Sequence, residues 1–357
     1  MKASIIALET GLRDLRHYIK GIEIESKLLS FDYEKMLPKK SINPVILFQE
    51  HISQSISSKK RFEYNTIIVS LYGFLEQFIE AIIVGYLNYL NRIIPSYEDM
   101  PSPIKGNHIE LSFELISKSS KEKSRNYFSP KIIIQNLNSC LLPGGHNYTI
   151  NNDAFSLHSA NFRVEIINDI FARFGINNIS KKIENTTKFY KYLSSRYQER
   201  DIKTIKSEEI FSLLNELADR RNEVAHGVNT DQILSNELLL ERLAFLEAFC
   251  KGLYEVVYNE TLPYKSRFKG IELSEPIKVF NNNIVCFHIK NTHVKVGDLL
   301  IAKPAKSSLP YLEDNIREIQ INGKKHDEIT DDMAENVAFR VDFKAKKNQK
   351  YFIVCNQ

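Results

Sequence analysis

The 357-residue chain has no Trp and is sparing with Gly (13) and Pro (11). Those two are the residues a helix interior tolerates least, so their scarcity favours helix. Cysteine is scarce as well: Cys140, Cys250, Cys286 and Cys355 lie far apart. No pair has metal-ligand spacing, and no dense framework marks a secreted disulfide scaffold. The expectation is reduced thiols in a cytoplasmic protein. A one-sided charge is also missing. The net charge of +4 permits nucleic-acid contact but is far from a strongly basic domain. Arg13, Asp14, Arg16 and His17 interrupt the first apolar stretch, unlike a signal peptide. The most apolar run, Phe78 to Leu90, is shorter than a bilayer span and has Glu76, Glu80 and Arg92 beside it, so no membrane partner is expected.

What is present is an ordinary globular balance, 43% hydrophobic and 26% charged, enough to bury a sizeable core. The pattern predicts helices over 3–30, 44–57 and, most strongly, 60–94. In the last, Ile67, Ile68, Leu71, Leu75, Phe78, Ile79, Ile82 and Ile83 form a broad apolar face. Residues 101–130 read as a loop with a short helix and end in a basic run. Lys118, Lys121, Lys123 and Arg125 there are candidate phosphate-backbone contacts, or else a solvated face. Helices are expected over 130–142, 159–174, from Ser207 to the region of Gly227, and from Asp231 or Ser235 to Tyr258. Pro143-Gly144-Gly145-His146 is a turn. It has no preceding strand and no phosphate-loop lysine, so it is not a nucleotide loop.

After Pro263 the character changes. Short β-branched and aromatic runs at 277–280, 284–289, 299–302, 316–321, 337–343 and 351–354 alternate with turns such as Asn322-Gly323-Lys324. That predicts a small antiparallel barrel. The fold class is α+β: a helical domain over 1–262, with its core at about 60–258, and a barrel domain over 263–357.

The candidate site is Leu217-Ala218-Asp219-Arg220-Arg221-Asn222-Glu223-Val224-Ala225-His226-Gly227. On a helix Asn222 and His226 share one face. Arg221 is one step round, and Gly227 stops the helix. A guanidinium, an amide and an imidazole gathered at a helix end suit a phosphodiester. Arg neutralises phosphate oxygens, and His moves protons near neutral pH. The structural alternative makes His226 a helix cap. Arg13-Asp14-Leu15-Arg16-His17 is a near miss whose spacing is one residue short. Glu76, on the half-buried face of the strongest helix, is expected either to face solvent or to hold the guanidinium of Arg220 or Arg221. No metal or cofactor is expected. The nine histidines are scattered, His288 and His293 lack accompanying ligands, and Cys286 lies beside His288 only as a neighbour on one strand face.

The helical part resembles a HEPN domain, the α-helical family named for higher eukaryotes and prokaryotes nucleotide binding. Three features carry the resemblance in the family's order: Tyr72-Gly73-Phe74-Leu75-Glu76-Gln77-Phe78-Ile79; Ser159-Ala160-Asn161-Phe162 through Phe174-Gly175-Ile176; and Arg221-Asn222 with His226, four residues lying between Arg221 and His226. The resemblance implies a metal-independent endoribonuclease. Arg221 would bind the scissile phosphate, His226 would exchange a proton with the 2′-hydroxyl or the leaving 5′-oxygen, and Asn222 would orient the His or a phosphate oxygen. It also implies RNA (tRNA or other) as substrate and a homodimer or higher oligomer that pairs two motifs. A role in bacterial antiphage defence or a toxin system, with a regulatory or antitoxin protein as partner, follows from the same resemblance. The segment Lys295-Val296-Gly297-Asp298-Leu299-Leu300-Ile301 loosely resembles the strand entry of the second domain of translational GTPases. The alternative is a non-catalytic HEPN-like dimerisation scaffold whose barrel binds protein or RNA. Nucleotide binding without cleavage has no phosphate loop to support it.

Overall fold

A computed structural model describes residues 1–31, 39–121, 129–142, 147–198, 200–227, 232–306, 310–330 and 335–355. The chain divides into two compact units. The first holds residues 1–85, 102–122 and 152–256; the second holds 86–101, 123–151 and 257–357. The fold class is α+β, as the sequence predicts: helices run to residue 269, and antiparallel strands follow.

Twelve α-helices occur in order among the described residues: α1 (Lys2–Leu29), α2 (Lys39–Ile93), α3 (Ser102–Lys121), α4 (Pro130–Leu141), α5 (Asn152–Phe155), α6 (Val164–Ala172), α7 (Ile179–Glu184), α8 (Thr187–Arg196), α9 (Ser207–Ile210), α10 (Ser212–Ala225), α11 (Asn236–Asn259) and α12 (Leu262–Lys269). The two helices expected over 44–57 and 60–94 are one: α2 runs unbroken through Ser58 and Lys59, and Pro44 lies inside it. By length and composition this helix could also cross a membrane, but half of its most apolar window is buried inside the fold. Tyr64, Ile67, Ile68, Leu71, Leu75, Phe78, Ile79, Ile82 and Ile83 are buried along it. The region read as loop and short helix is the 20-residue α3. Ile104, His108, Leu111, Ser112 and Leu115 give α3 a buried stripe at helical spacing.

In the first unit, aromatic packing closes the core around Phe189. Its ring lies 5.7 Å from Phe211 and 6.3 Å from Phe249. Gly11 exists for close approach: a Cβ there would lie 2.6 Å from the Phe74 ring.

The second unit has strands β1 (Ile271–Glu272), β2 (Lys278–Phe280), β3 (Ile284–Ile289), β4 (Val294–Lys295), β5 (Leu299–Lys303), β6 (Leu312–Asn315), β7 (Glu318–Ile321), β8 (Lys324–His326), β9 (Glu328–Ile329), β10 (Glu335–Arg340) and β11 (Lys350–Val354). They form three antiparallel sheets, ordered β1-β11-β5-β6, β2-β3-β10-β7-β8 and β4-β9. The register places Val337 opposite both Phe287 and Ile321, and these residues share one buried core. The Asn322-Gly323 turn is left-handed at both residues (φ 50° and 78°), which suits the tight β7–β8 hairpin. The expected closed barrel is not formed among the described residues. β8 is a sheet edge, and its Lys324, Lys325 and His326 are all exposed. Charged, solvated edges of this kind oppose further pairing.

Candidate functional site

α10 begins after Phe211 and ends at Ala225. The expected helix from Ser207 is split there, with the single turn α9 before it. The apolar face of α10 is Leu213, Leu214, Leu217 and Ala218, all buried. At its C-terminus the His226 N–H donates to the Asn222 carbonyl at 3.0 Å, and the Gly227 N–H donates to Val224. Gly227 has φ +65°, the left-handed conformation that ends helices and that glycine adopts without strain. Asn222 and His226 therefore lie one turn apart at the helix end. The His226 side chain is exposed and has no hydrogen-bond partner among the described residues.

The two adjacent arginines have different fates. Arg220 is tied into the fold. Its Nε donates to Glu216 at 2.8 Å, and a terminal nitrogen donates to the Tyr64 hydroxyl at 2.8 Å. Glu216 also pairs with Arg242 at 3.0 Å. Arg221 has no carboxylate partner among the described residues. Its guanidinium lies over the Tyr72 ring, 5.3 Å from the centroid. A cation held on an aromatic face keeps its N–H edges free for an anion.

Tyr72 is the floor of the site. Burial raises the pKa of its hydroxyl, so Tyr72 stays neutral; Glu76 adds to that shift, while the Phe162 N–H and Arg221 oppose it. The hydroxyl accepts from the Phe162 N–H at 2.8 Å and donates to Asn161 Oδ1 at 3.3 Å. Asn161 Nδ2 in turn donates to Asn222 Oδ1. With its oxygen taken, Asn222 keeps its own amide nitrogen as an available donor. Residues 159–163 had been expected to start a helix, but α6 begins only at Val164. The reason is tertiary. The Val164 N–H is capped by Asn215 Oδ1 of α10 at 3.2 Å, and Arg163 pairs with Asp219. The segment before α6 is thus stitched to the motif helix, with Asn161 as its hub.

Glu76 does not hold either arginine. Its Oε1 lies 3.6 Å from His158 Nε2, with Glu80 Oε1 at 3.4 Å from the same nitrogen. The reason is helical phase: Glu76 and Glu80 are i and i+4 on α2 and face the 158–163 segment together. Tyr72 and Asn161 lie in the segments that carry the family resemblance, and the Glu76–Glu80 spacing is a legible signal, though none of His158, Glu80, Tyr72 and Asn161 stands out as a site residue from sequence. His158 offers no such signal, being 78 residues from Glu80.

Of the basic run, Lys118 is described, and its ammonium donates to the His158 carbonyl at 3.3 Å. The Lys121 side chain, Lys123, Arg125 and His146 lie outside the described residues. In the second unit, His288 and His293 have separate partners, Asn336 and Glu328. All four cysteines are free thiols, two of them buried. Burial pushes the Cys140 thiol up to about 11. A cleft of about 400 Å³ in the first unit is lined by Glu25, Lys59, Tyr64 and Leu239 among others. None of Arg221, Asn222 and His226 lines it.

The RiboL-PSP-HEPN family model matches residues 39–259, more than half of the chain. The chain belongs to that family, which indicates a nuclease-like or RNA-related role. No curated protein matches the chain. Among solved structures, one similar chain is the C-terminal domain of a Geobacillus thermoleovorans protein classed as a U32 peptidase. It is 16% identical, covers 24% of this chain and 89% of its own, and has a TM-score of 0.19. At that score the likeness carries no argument.

Proposed function

We propose that the protein is a metal-independent endoribonuclease that cleaves RNA, tRNA included, by attack of a 2′-hydroxyl on the neighbouring phosphate. One observation carries this reading. Arg221 is held on Tyr72 without a carboxylate partner, while its neighbour Arg220 is bound up in the fold. Arg221 and the Asn222 amide nitrogen bind the scissile phosphate and stabilise the charge that builds on it. His226, exposed one turn on, exchanges a proton with the attacking or leaving oxygen. The products are a 2′,3′-cyclic phosphate and a 5′-hydroxyl. Each motif presents one exposed histidine, whereas the reaction needs an acid and a base. The active species is therefore a homodimer that shares two copies of the motif. A cytoplasmic effector role in antiphage defence or a toxin system, held in check by a regulatory protein, fits such a nuclease.

The test is cleavage of total RNA by the purified protein beside Arg221→Ala and His226→Ala. The wild type should cut, and each variant should lose about 10²–10³-fold or more in rate. A wild type that cuts nothing, or variants that cut equally well, would refute the assignment.

A further inference from the structure

The group formed by Glu76, Glu80 and His158 has no part in the proposed chemistry, and its geometry asks for a cation. His158 Nδ1 lies 2.9 Å from the Ala160 carbonyl oxygen. A carbonyl only accepts, so Nδ1 carries the proton, and in the neutral ring Nε2 is a bare lone pair. That lone pair faces two carboxylate oxygens, at 3.4 Å (Glu80) and 3.6 Å (Glu76). The three candidate ligand atoms all lie within 4.8 Å of one another. Three acceptors this close repel unless something positive sits among them.

A proton on Nε2 would serve Glu80, which lies within hydrogen-bond distance at 3.4 Å, but a single N–H reaches one carboxylate, whereas one metal ion binds both. Two ligands each about 2.1 Å from one tetrahedral metal ion lie about 3.4 Å apart. We propose that Glu76, Glu80 and His158 form a binding site for one divalent transition-metal ion of the zinc type. The ligand set, one imidazole and two carboxylates, suits that class. The elements supply it simply. α2 brings two carboxylates to one point by their i, i+4 spacing. The backbone carbonyl of Ala160 fixes the His158 tautomer and ring orientation, as such partners do around metal-bound imidazoles. The His158 side chain is only 13% exposed, and its ring packs against Phe162 at 4.1 Å, so the ligand is held in place in advance.

The ion would pin the 158–163 segment to α2, and that segment carries Asn161, the partner of Asn222. Its role is thus positional. It touches neither Arg221 nor His226, and stripping it leaves the proposed cleavage chemistry in place. The metal site stands without the nuclease reading; only this consequence rests on it.

The experiment is calorimetric titration of the untagged full-length chain with Zn²⁺, paired with thermal melting and the visible spectrum of the Co²⁺-loaded protein. The wild type should bind one ion per chain at this site, melt higher with Zn²⁺, and show the d–d bands of Co²⁺ in a low-symmetry site. Glu76→Gln and Glu80→Gln, close in shape to the native residues, should each weaken binding by about tenfold or more while the apo proteins melt much like the wild type. His293→Ala, which removes the exposed His293–Glu328 pair, should leave the stoichiometry of this site unchanged. Zn²⁺ uptake by the Glu76→Gln/Glu80→Gln protein equal to that of the wild type, or no Co²⁺ bands in the wild type, would overturn the proposal. RNA cleavage enters none of these readouts, so failure here and failure of the nuclease reading are told apart.

Discussion

At the scale of the residue, two adjacent arginines divide the work of the site. Arg220 and Arg221 are indistinguishable by composition, yet helical phase sends one inward to Glu216 and Tyr64 and the other onto the Tyr72 ring. Their replacements should therefore separate. Arg220→Ala leaves Glu216 short of a partner and the buried Tyr64 hydroxyl unsatisfied, a loss of about 1–3 kcal/mol that a denaturant melt reads directly. Arg221→Ala should leave the melt nearly unchanged while cleavage falls. Asn161 acts through Asn222 as a positioning residue. Asn161→Ala should lower the cleavage rate by up to about 10²-fold with RNA binding largely kept. If RNA binding and cleavage fall together, Asn161 contacts the substrate itself.

At the scale of the element, the long helices and most strands were legible because period and composition agree. α2, α11 and β3 follow their apolar patterns closely. Arg221, Asn222 and His226 were legible as a motif because a single helix carries all three. What could not be read depends on contacts distant in sequence. The segment 159–163 leaves the helix because Asn215 and Asp219 of α10 take Val164 and Arg163. Glu76 turns to His158 because the fold brings together residues with no spacing signal. The barrel failed because strand order and edge charge, rather than strand content, decide closure. Gly11→Ala forces a Cβ against the Phe74 ring between α1 and α2, and about 1–3 kcal/mol of overpacking should follow. His108, buried on α3 and stacked near Phe155 at 6.1 Å, has its pKa lowered by burial to about 4. The unfolded chain takes up that proton first, near the ordinary value of 6.5, and the folded chain only near 4. Stability is therefore full above about pH 6.5 and falls as pH drops toward 4, by about 3 kcal/mol across that window. A His108→Phe protein should show a flatter pH profile of unfolding free energy, and an unchanged profile would remove the claim.

At the scale of the whole molecule, the proposed nuclease is also a proposed dimer. A single motif offers one exposed imidazole, and the reaction needs two proton-transfer groups. Sedimentation velocity over a range of concentrations should show a dimer, and specific activity should rise with its population. A chain that stays monomeric at high concentration yet cleaves RNA would break this part of the account. The most direct test of the central claim is the chemistry of the cut ends. RNA is incubated with the wild-type protein in EDTA, and the new termini are mapped. The new ends should be 5′-hydroxyls and 2′,3′-cyclic phosphates, and they should disappear in Arg221→Ala and His226→Ala. Ends bearing 3′-hydroxyls and 5′-phosphates, or cyclic-phosphate ends made equally well by both variants, would contradict the claim.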